Sequence, residues 1–398
     1  MEEEKGNRGE RLRRFILNQM EKKGPIPFSQ FMEWCLYHPE YGYYNSDRVK
    51  VGRDGDYYTS PCVHPLFGGL IAKQLAQMSE PLGGTVFDVV EQGGGRGFLC
   101  GDVLEWAKKK IPTFYQRLRY HLIETSPFFI QEQRKRLSEY IQEGKVFWMH
   151  LGAFEKGEDH IEGCFLSNEL VDAFPVHVVI LNEGCLKEMY VAQDHGRLKE
   201  QWGALSDPGI ASYFQSLGIT LQEGQRAEVN LKALDWMEKV ARCLKKGFVL
   251  TIDYGDLATE LYSPHRKEGT LLCYAQHQTS EDPYERLGDQ DITSHVNFSS
   301  LIKKGGEVGL HLTGFVPQYQ FLIALGLLQE MESLGREMSE LNALQLRLSL
   351  KHLIEPERGM GEIFKVLIQH KGMDQPQLDG LRNLASIPWP FSSEEAGH

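Results

Sequence analysis

The 398-residue sequence has no stretch approaching the roughly 18 apolar residues that a membrane-spanning helix needs, and it has no Cys-x-x-Cys pair. Its seven cysteines (Cys35, Cys62, Cys100, Cys164, Cys185, Cys243 and Cys273) are odd in number and scattered, which suits reduced thiols and gives no zinc signature. Basic charge is also in deficit. Against 43 lysines and arginines stand 55 aspartates and glutamates, a net charge of -12 that disfavours a nonspecific grip on nucleic-acid phosphates. Small molecules or basic protein segments fit that balance better as partners. The N-terminal residues lack an apolar segment, and Glu2, Glu3, Glu4 and Glu10 are foreign to an acid-poor transit peptide, so a cytoplasmic protein is expected. What remains is an ordinary globular composition, 41% apolar and 25% charged, in a chain long enough to bury a large core.

Residues 1–23 are charged and read as a frayed arm or a first helix. A helical N-terminal cap is expected over 24–83, where Ser29 stands as an N-cap before apolar and aromatic residues at helical spacing and Pro39 ends the run. From residue 84 the pattern changes to short apolar runs, each ending in a polar residue, with helical segments at about 128–143 and 231–245. Strands alternating with helices imply an α/β fold, a doubly wound Rossmann-like parallel sheet, with its core over 84–330. Between the fourth and fifth strands, an insertion at about 176–230 alternates apolar and polar residues as β-hairpin material does. A helical C-terminal segment is expected over 331–370 and a tail over 371–398.

The segment from Val89 to Gly97 places Glu91, Gly93, Gly95 and Gly97 in an E-x-G-x-G-x-G pattern between a strand and a helix. Glycines there let a ligand approach the backbone at a helix N-terminus. The dinucleotide fingerprint fails because Phe98 stands where its third glycine belongs, and no Gly-Lys-Ser/Thr follows to make a P-loop. Glu91 would repel a pyrophosphate but could pair with an ammonium, which S-adenosylmethionine carries. The second strand ends at Glu124, where doubly wound folds bind ribose hydroxyls. The fourth delivers Asn168, Glu169 and Asp172, and the two acids share a face if a helical turn begins there. Asp253 follows the fifth strand. These loops converge on the sheet edge where open α/β sheets carry their active sites. His295 is a candidate base near the pocket, and Tyr41, Tyr43, Tyr44, Tyr57 and Tyr58 could line a channel, cage a cation or simply form core. The basic runs at 108–110 and 134–136 read as solvated helix faces rather than nucleic-acid contacts.

Taken together, GPIPFSQFMEWCLYHPEYGYY, GDYYTSP, EQGGGRG, SNELVDAFPVH, AEVN, DYG, DITSHVNF and MGEIFKVL resemble the MidA family of class I methyltransferases, over residues about 24 to 370. Mitochondrial members of that family are complex I assembly factors that methylate arginine. The resemblance implies that Glu91, Gly93, Gly95 and Gly97 bind S-adenosyl-L-methionine, that Glu124 takes its ribose, and that Asn168, Glu169 and Asp172 face the substrate as the catalytic set. It also implies that the segment from Gly55 to Pro61, with Thr59 and Pro61, is a lid over the cofactor. Gln92, Gly94 and Cys62 depart from the family's usual Leu, Pro and Glu. The activity expected is arginine methylation on a protein substrate, without nucleic acid, metal or membrane insertion. A small-molecule N- or O-methyltransferase, a cofactor-binding assembly chaperone and an NAD-linked oxidoreductase are the alternatives.

Overall fold

The computed structural model describes residues 8–46, 50, 56, 59–84, 86–150, 152, 160–355 and 359–384. Parts of the expected arm (1–7), of the lid (Gly55, Tyr57 and Tyr58) and of the tail (385–398) lie outside the described residues. Seven strands make the central sheet: β1 (Phe87–Gln92), β2 (Leu118–Ile123), β3 (Val146–Trp148), β4 (Ile161–Asn168), β5 (Leu244–Asp256), β6 (His311–Pro317) and β7 (Phe364–Lys371). Their spatial order is β3-β2-β1-β4-β5-β7-β6. The first five run parallel to one another, with Val90 opposite His121 and Phe165, and Leu250 opposite Leu166. β7 inserts antiparallel between β5 and β6, and the short strand Val296–Asn297 pairs with the end of β5.

Neighbouring residues of a strand point to opposite faces, so apolar runs without alternation need cover on both sides. Val89, Leu166, Leu250 and Val366 enter one core with the helices Leu66–Ser79 and Phe98–Lys110. Their neighbours Val90, Phe165, Val249 and Leu367 enter the other, against the helices Leu231–Cys243 and Phe298–Glu307. The fold is therefore the doubly wound α/β sheet expected.

The expected hairpin material forms as well. His177–Asn182 and Cys185–Asp194 pair antiparallel across the two-residue turn Glu183-Gly184, inside a five-stranded sheet that also recruits Ile26–Pro27. A smaller three-stranded sheet joins Leu272–Ala275, Gln278–Ser280 and Asp291–Thr293.

Two local expectations are corrected. The helix Phe28–Tyr37 starts ahead of Ser29, with Pro27 at its N-cap, because the ring already fixes φ near the value a helix entry uses; Ser29 Oγ faces His177 Nδ1 instead, at 3.4 Å. Helices Leu327–Arg336 and Glu340–Ile354 occupy most of the C-terminal segment, but its end is strand β7. Nearly all of β7 is buried, and a short run covered on both faces lacks the periodicity that separates strand from helix. Among the described residues, no helix is long and apolar enough to cross a membrane.

Candidate active site

Where β1, β2, β4 and β5 end, their loops surround a cavity of about 1090 Å³. Glu91 reaches it from the buried end of β1. Tyr120 donates its hydroxyl to Glu91 Oε2 at 2.8 Å, yet burial pushes the carboxyl up to about 7. The turn that follows is pinned by Gly93 N–H donating to Ile123 O at 3.1 Å. Gly95 adopts φ 49, and a Cβ there would point into open space, so the turn offers bare backbone to the cavity. Gly93, Gly94 and Gly95 line the wall, whereas Gly97 does not; it is the left-handed N-cap of the helix Phe98–Lys110. The ligand contact expected of Gly97 is thus replaced by a role in turning the chain.

Gln133, fully buried, clamps this turn. Its amide donates to Gly95 O at 2.8 Å while its oxygen accepts from Trp148 Nε1 at 2.8 Å. The departure at Gln92 also has a partner, since its side-chain oxygen accepts from Trp236 Nε1 at 2.9 Å. At the end of β2, Glu124 Oε1 accepts from the backbone amides of Thr125 and Ser126 at 2.8 and 2.9 Å. Glu124 lines the cavity, and burial raises its pKa.

β4 delivers Asn168, and Glu169 follows in the left-handed region at φ 53. Glu169 Oε1 accepts from Ser60 N–H at 2.9 Å and from Asn168 Nδ2 at 3.0 Å. Asp172 Oδ2 accepts the Tyr254 hydroxyl, while its buried Oδ1 has no hydrogen-bond partner among the described residues. Burial, reinforced by the charge of Asp172, pushes Glu169 up to about 8. Burial likewise pushes Asp172 up to about 6 against the opposing hydrogen bond from Tyr254.

The shared helical face expected for these two acids is not what joins them. The segment after β4 is a non-helical turn, and Asp253 holds it: Asp253 Oδ2 accepts from Leu170 N at 3.2 Å and Val171 N at 2.9 Å, and Oδ1 accepts from Tyr254 N at 3.0 Å. Asp253 is fully buried and lies outside the cavity wall. It positions the turn from behind.

Thr59 and Pro61 flank Ser60 on the cavity wall, with Cys62 beside them. His295 also lines the cavity, its ring edge-on to Tyr254 at 5.5 Å, and burial pushes it down to about 4, so it is neutral at physiological pH. Of the tyrosine run, Tyr44 lines the cavity and bonds Asp291 at 2.8 and 2.9 Å, while Tyr43 is core and bonds Asp56. Tyr254, Gln133 and Trp236 were not singled out in the sequence, and Ser60 entered only as part of the expected lid. Tyr254 carried one signal: it follows Asp253 in a strand, so the two side chains face opposite sides.

Glu91, Glu124, Glu169 and Asp172 are thus held around one space with raised pKa values, and the charge of Lys50 opposes the effect of burial at Glu124. Such a set is built for a ligand that brings positive charge. S-adenosylmethionine, with its sulfonium and ammonium, suits that donor set, and the open ledge at Gly95 leaves room for it. Among the described residues, no group of three or more His, Cys, Asp or Glu could hold a metal ion.

Residues 70–316 match the model of the S-adenosyl-L-methionine-dependent methyltransferase family described by this fold and site, and the chain belongs to that family. It is similar to a protein arginine methyltransferase NDUFAF7 homolog, mitochondrial, of Drosophila melanogaster, with 29% identity covering 94% of this chain and 87% of the fly protein. The human protein arginine methyltransferase NDUFAF7, mitochondrial, is 24% identical over 96% of this chain and 88% of its own length. A protein from Burkholderia thailandensis, crystallised with S-adenosyl-homocysteine, superposes with a TM-score of 0.84 at 29% identity, covering 94% of this chain and 95% of that one. The protein is an S-adenosyl-L-methionine-dependent methyltransferase, and S-adenosyl-L-methionine is its cofactor. The cytoplasmic expectation is overturned, because these curated relatives are named mitochondrial. Acidic residues near an N-terminus argue against one kind of import signal and do not specify a compartment.

Proposed function

We propose that the methyl acceptor is an arginine guanidinium presented on a protein segment, and that Asn168, Glu169 and Asp172 form the catalytic set. The observation that carries this reading is the pairing of Glu169 and Asp172 in one buried wall, with Asp172 Oδ1 lacking a hydrogen-bond partner among the described residues. The names of the fly and human relatives as protein arginine methyltransferases support it.

S-adenosyl-L-methionine, when bound, supplies an electrophilic methyl group. Glu91, Gly93, Gly95 and Glu124 are the residues suited to hold it, with Thr59 and Pro61 closing the wall. The chain's own task is then to hold and orient an acceptor whose pKa above about 12 keeps it protonated and non-nucleophilic. Asp172 Oδ1 is free to accept one guanidinium N–H, and the Tyr254 hydroxyl on Oδ2 fixes the carboxylate plane. Glu169, oriented by Asn168 and Ser60 through Oε1, is poised to take the proton that the guanidinium gives up. Positioning of the acceptor supplies the rest.

The test is mass spectrometry for methylarginine in substrate protein incubated with enzyme and S-adenosyl-L-methionine. Methylarginine formed by the wild type should fall by about a hundredfold or more with Glu169→Gln, the scale of a lost general base. Methylation of lysine or of free small molecules in place of arginine would refute the assignment.

A further inference from the structure

Beside the cofactor cavity lies a second one of about 780 Å³, and four residues, Glu33, Tyr37, Pro175 and Lys232, line both. The second cavity opens along the helix Phe28–Tyr37 and the insertion, with Trp34 and His38 on its wall. Where the two spaces meet, Lys232 Nζ stands 3.7 Å from Glu33 Oε2. Both side chains are partly solvated, 60% and 38% exposed, so the pair is a weak and replaceable contact. Tyr37, on the same shared wall, donates its hydroxyl to Ala173 O at 2.9 Å, which ties the junction to the turn carrying Glu169 and Asp172.

Resting on the arginine-acceptor reading, we infer that this second cavity is the entry groove for the acceptor's polypeptide segment, and that the Glu33–Lys232 pair is its gate. Continuity with the cofactor cavity gives the groove a destination, and its chemistry indicates the occupant. Lys232 holds Glu33 through a single ammonium, whereas an incoming guanidinium offers a carboxylate two parallel N–H donors. An arginine therefore competes well for Glu33. Once Lys232 swings into solvent, the two cavities join through the space it leaves, and the side chain can pass on toward Asp172. A neutral residue cannot displace Lys232 in this way. The gate thereby selects for positive charge before the acceptor reaches the methyl donor.

The experiment uses the full chain with S-adenosylhomocysteine present and a short labelled glycine-alanine peptide carrying one central arginine, followed by fluorescence anisotropy. Lys232→Ala frees Glu33 and is expected to tighten binding about threefold, while Glu33→Gln weakens it about fivefold, the range of a partly exposed ion pair. Glu33→Asp should restore part of the affinity lost in Glu33→Gln. S-adenosylhomocysteine affinity and melting temperature should be unchanged in all three, which separates gating from a structural defect. The inference is overturned if the wild type binds the arginine peptide no better than its citrulline counterpart, or if Lys232→Ala weakens binding. The two readings fail separately: peptide binding that obeys the gate without methylarginine formation removes arginine methylation, and methylarginine formation with binding indifferent to Glu33 and Lys232 removes the gate.

Discussion

Glu169 is held in a left-handed backbone conformation at the end of a strand, buried, with one oxygen fixed by Ser60 and Asn168. A carboxyl pushed from 4.5 to about 8 binds a proton in the folded state that the unfolded chain has already released. Its contribution to stability is therefore full below about 4.5 and is lost as pH rises through about 8, with Asp172 adding the same sign between 3.8 and about 6. The free enzyme should melt at progressively lower temperature as pH is raised from about 5 to about 8.5, by this part of its titration. A cationic ligand prefers the ionised pair, so methyl transfer should rise over the same window and level off above pH 8. Paired calorimetry and kcat/KM profiles check both trends, and a rate that falls between pH 6 and 8 would contradict them. The acids were legible in the sequence because polar residues directly after an apolar strand must lie at the sheet's edge. Tyr254 and Gln133 were not, because Asp172 and Gly95, which they bond, lie 82 and 38 residues away.

At the scale of elements, the site is a set of strand ends whose loops are locked from behind. Asp253 does this for the turn after β4, accepting amides from Leu170 and Val171 with a fully buried carboxyl. Asp253→Ala leaves those buried donors unpaired and should cost about 2 kcal/mol or more in chemical denaturation. Because the turn carries Glu169 and Asp172, the same variant should lose kcat more severely than cofactor affinity. Equal losses in both would mean that Asp253 supports the whole sheet rather than one turn. The first five central strands and the insertion's hairpin could be anticipated from their apolar runs and alternation. Strand β7 could not, since Phe364–Lys371 is covered on both faces and its pairing with β5 and β6 depends on residues far away in the chain. The helical turn expected after β4 failed for a related reason: the spacing of Glu169 and Asp172 suits a helix, but Asp253 supplies a competing set of hydrogen bonds.

For the whole molecule, an excess of negative charge and a central cavity walled by protonatable acids serve the same end. Both favour cations, first in steering and then in binding. The cofactor and the acceptor are assigned to different parts of that cavity, the glycine turn with Glu124 on one side and the Glu169–Asp172 wall on the other. That division is the central claim, and isothermal titration with S-adenosylhomocysteine tests it most directly. Gly95→Val, which places a branched side chain at φ 49 and aims it into the cavity, should abolish saturable binding, while Glu169→Gln should bind within about twofold of the wild type. Comparable loss of affinity in both variants would contradict the division and make Glu169 part of the cofactor site.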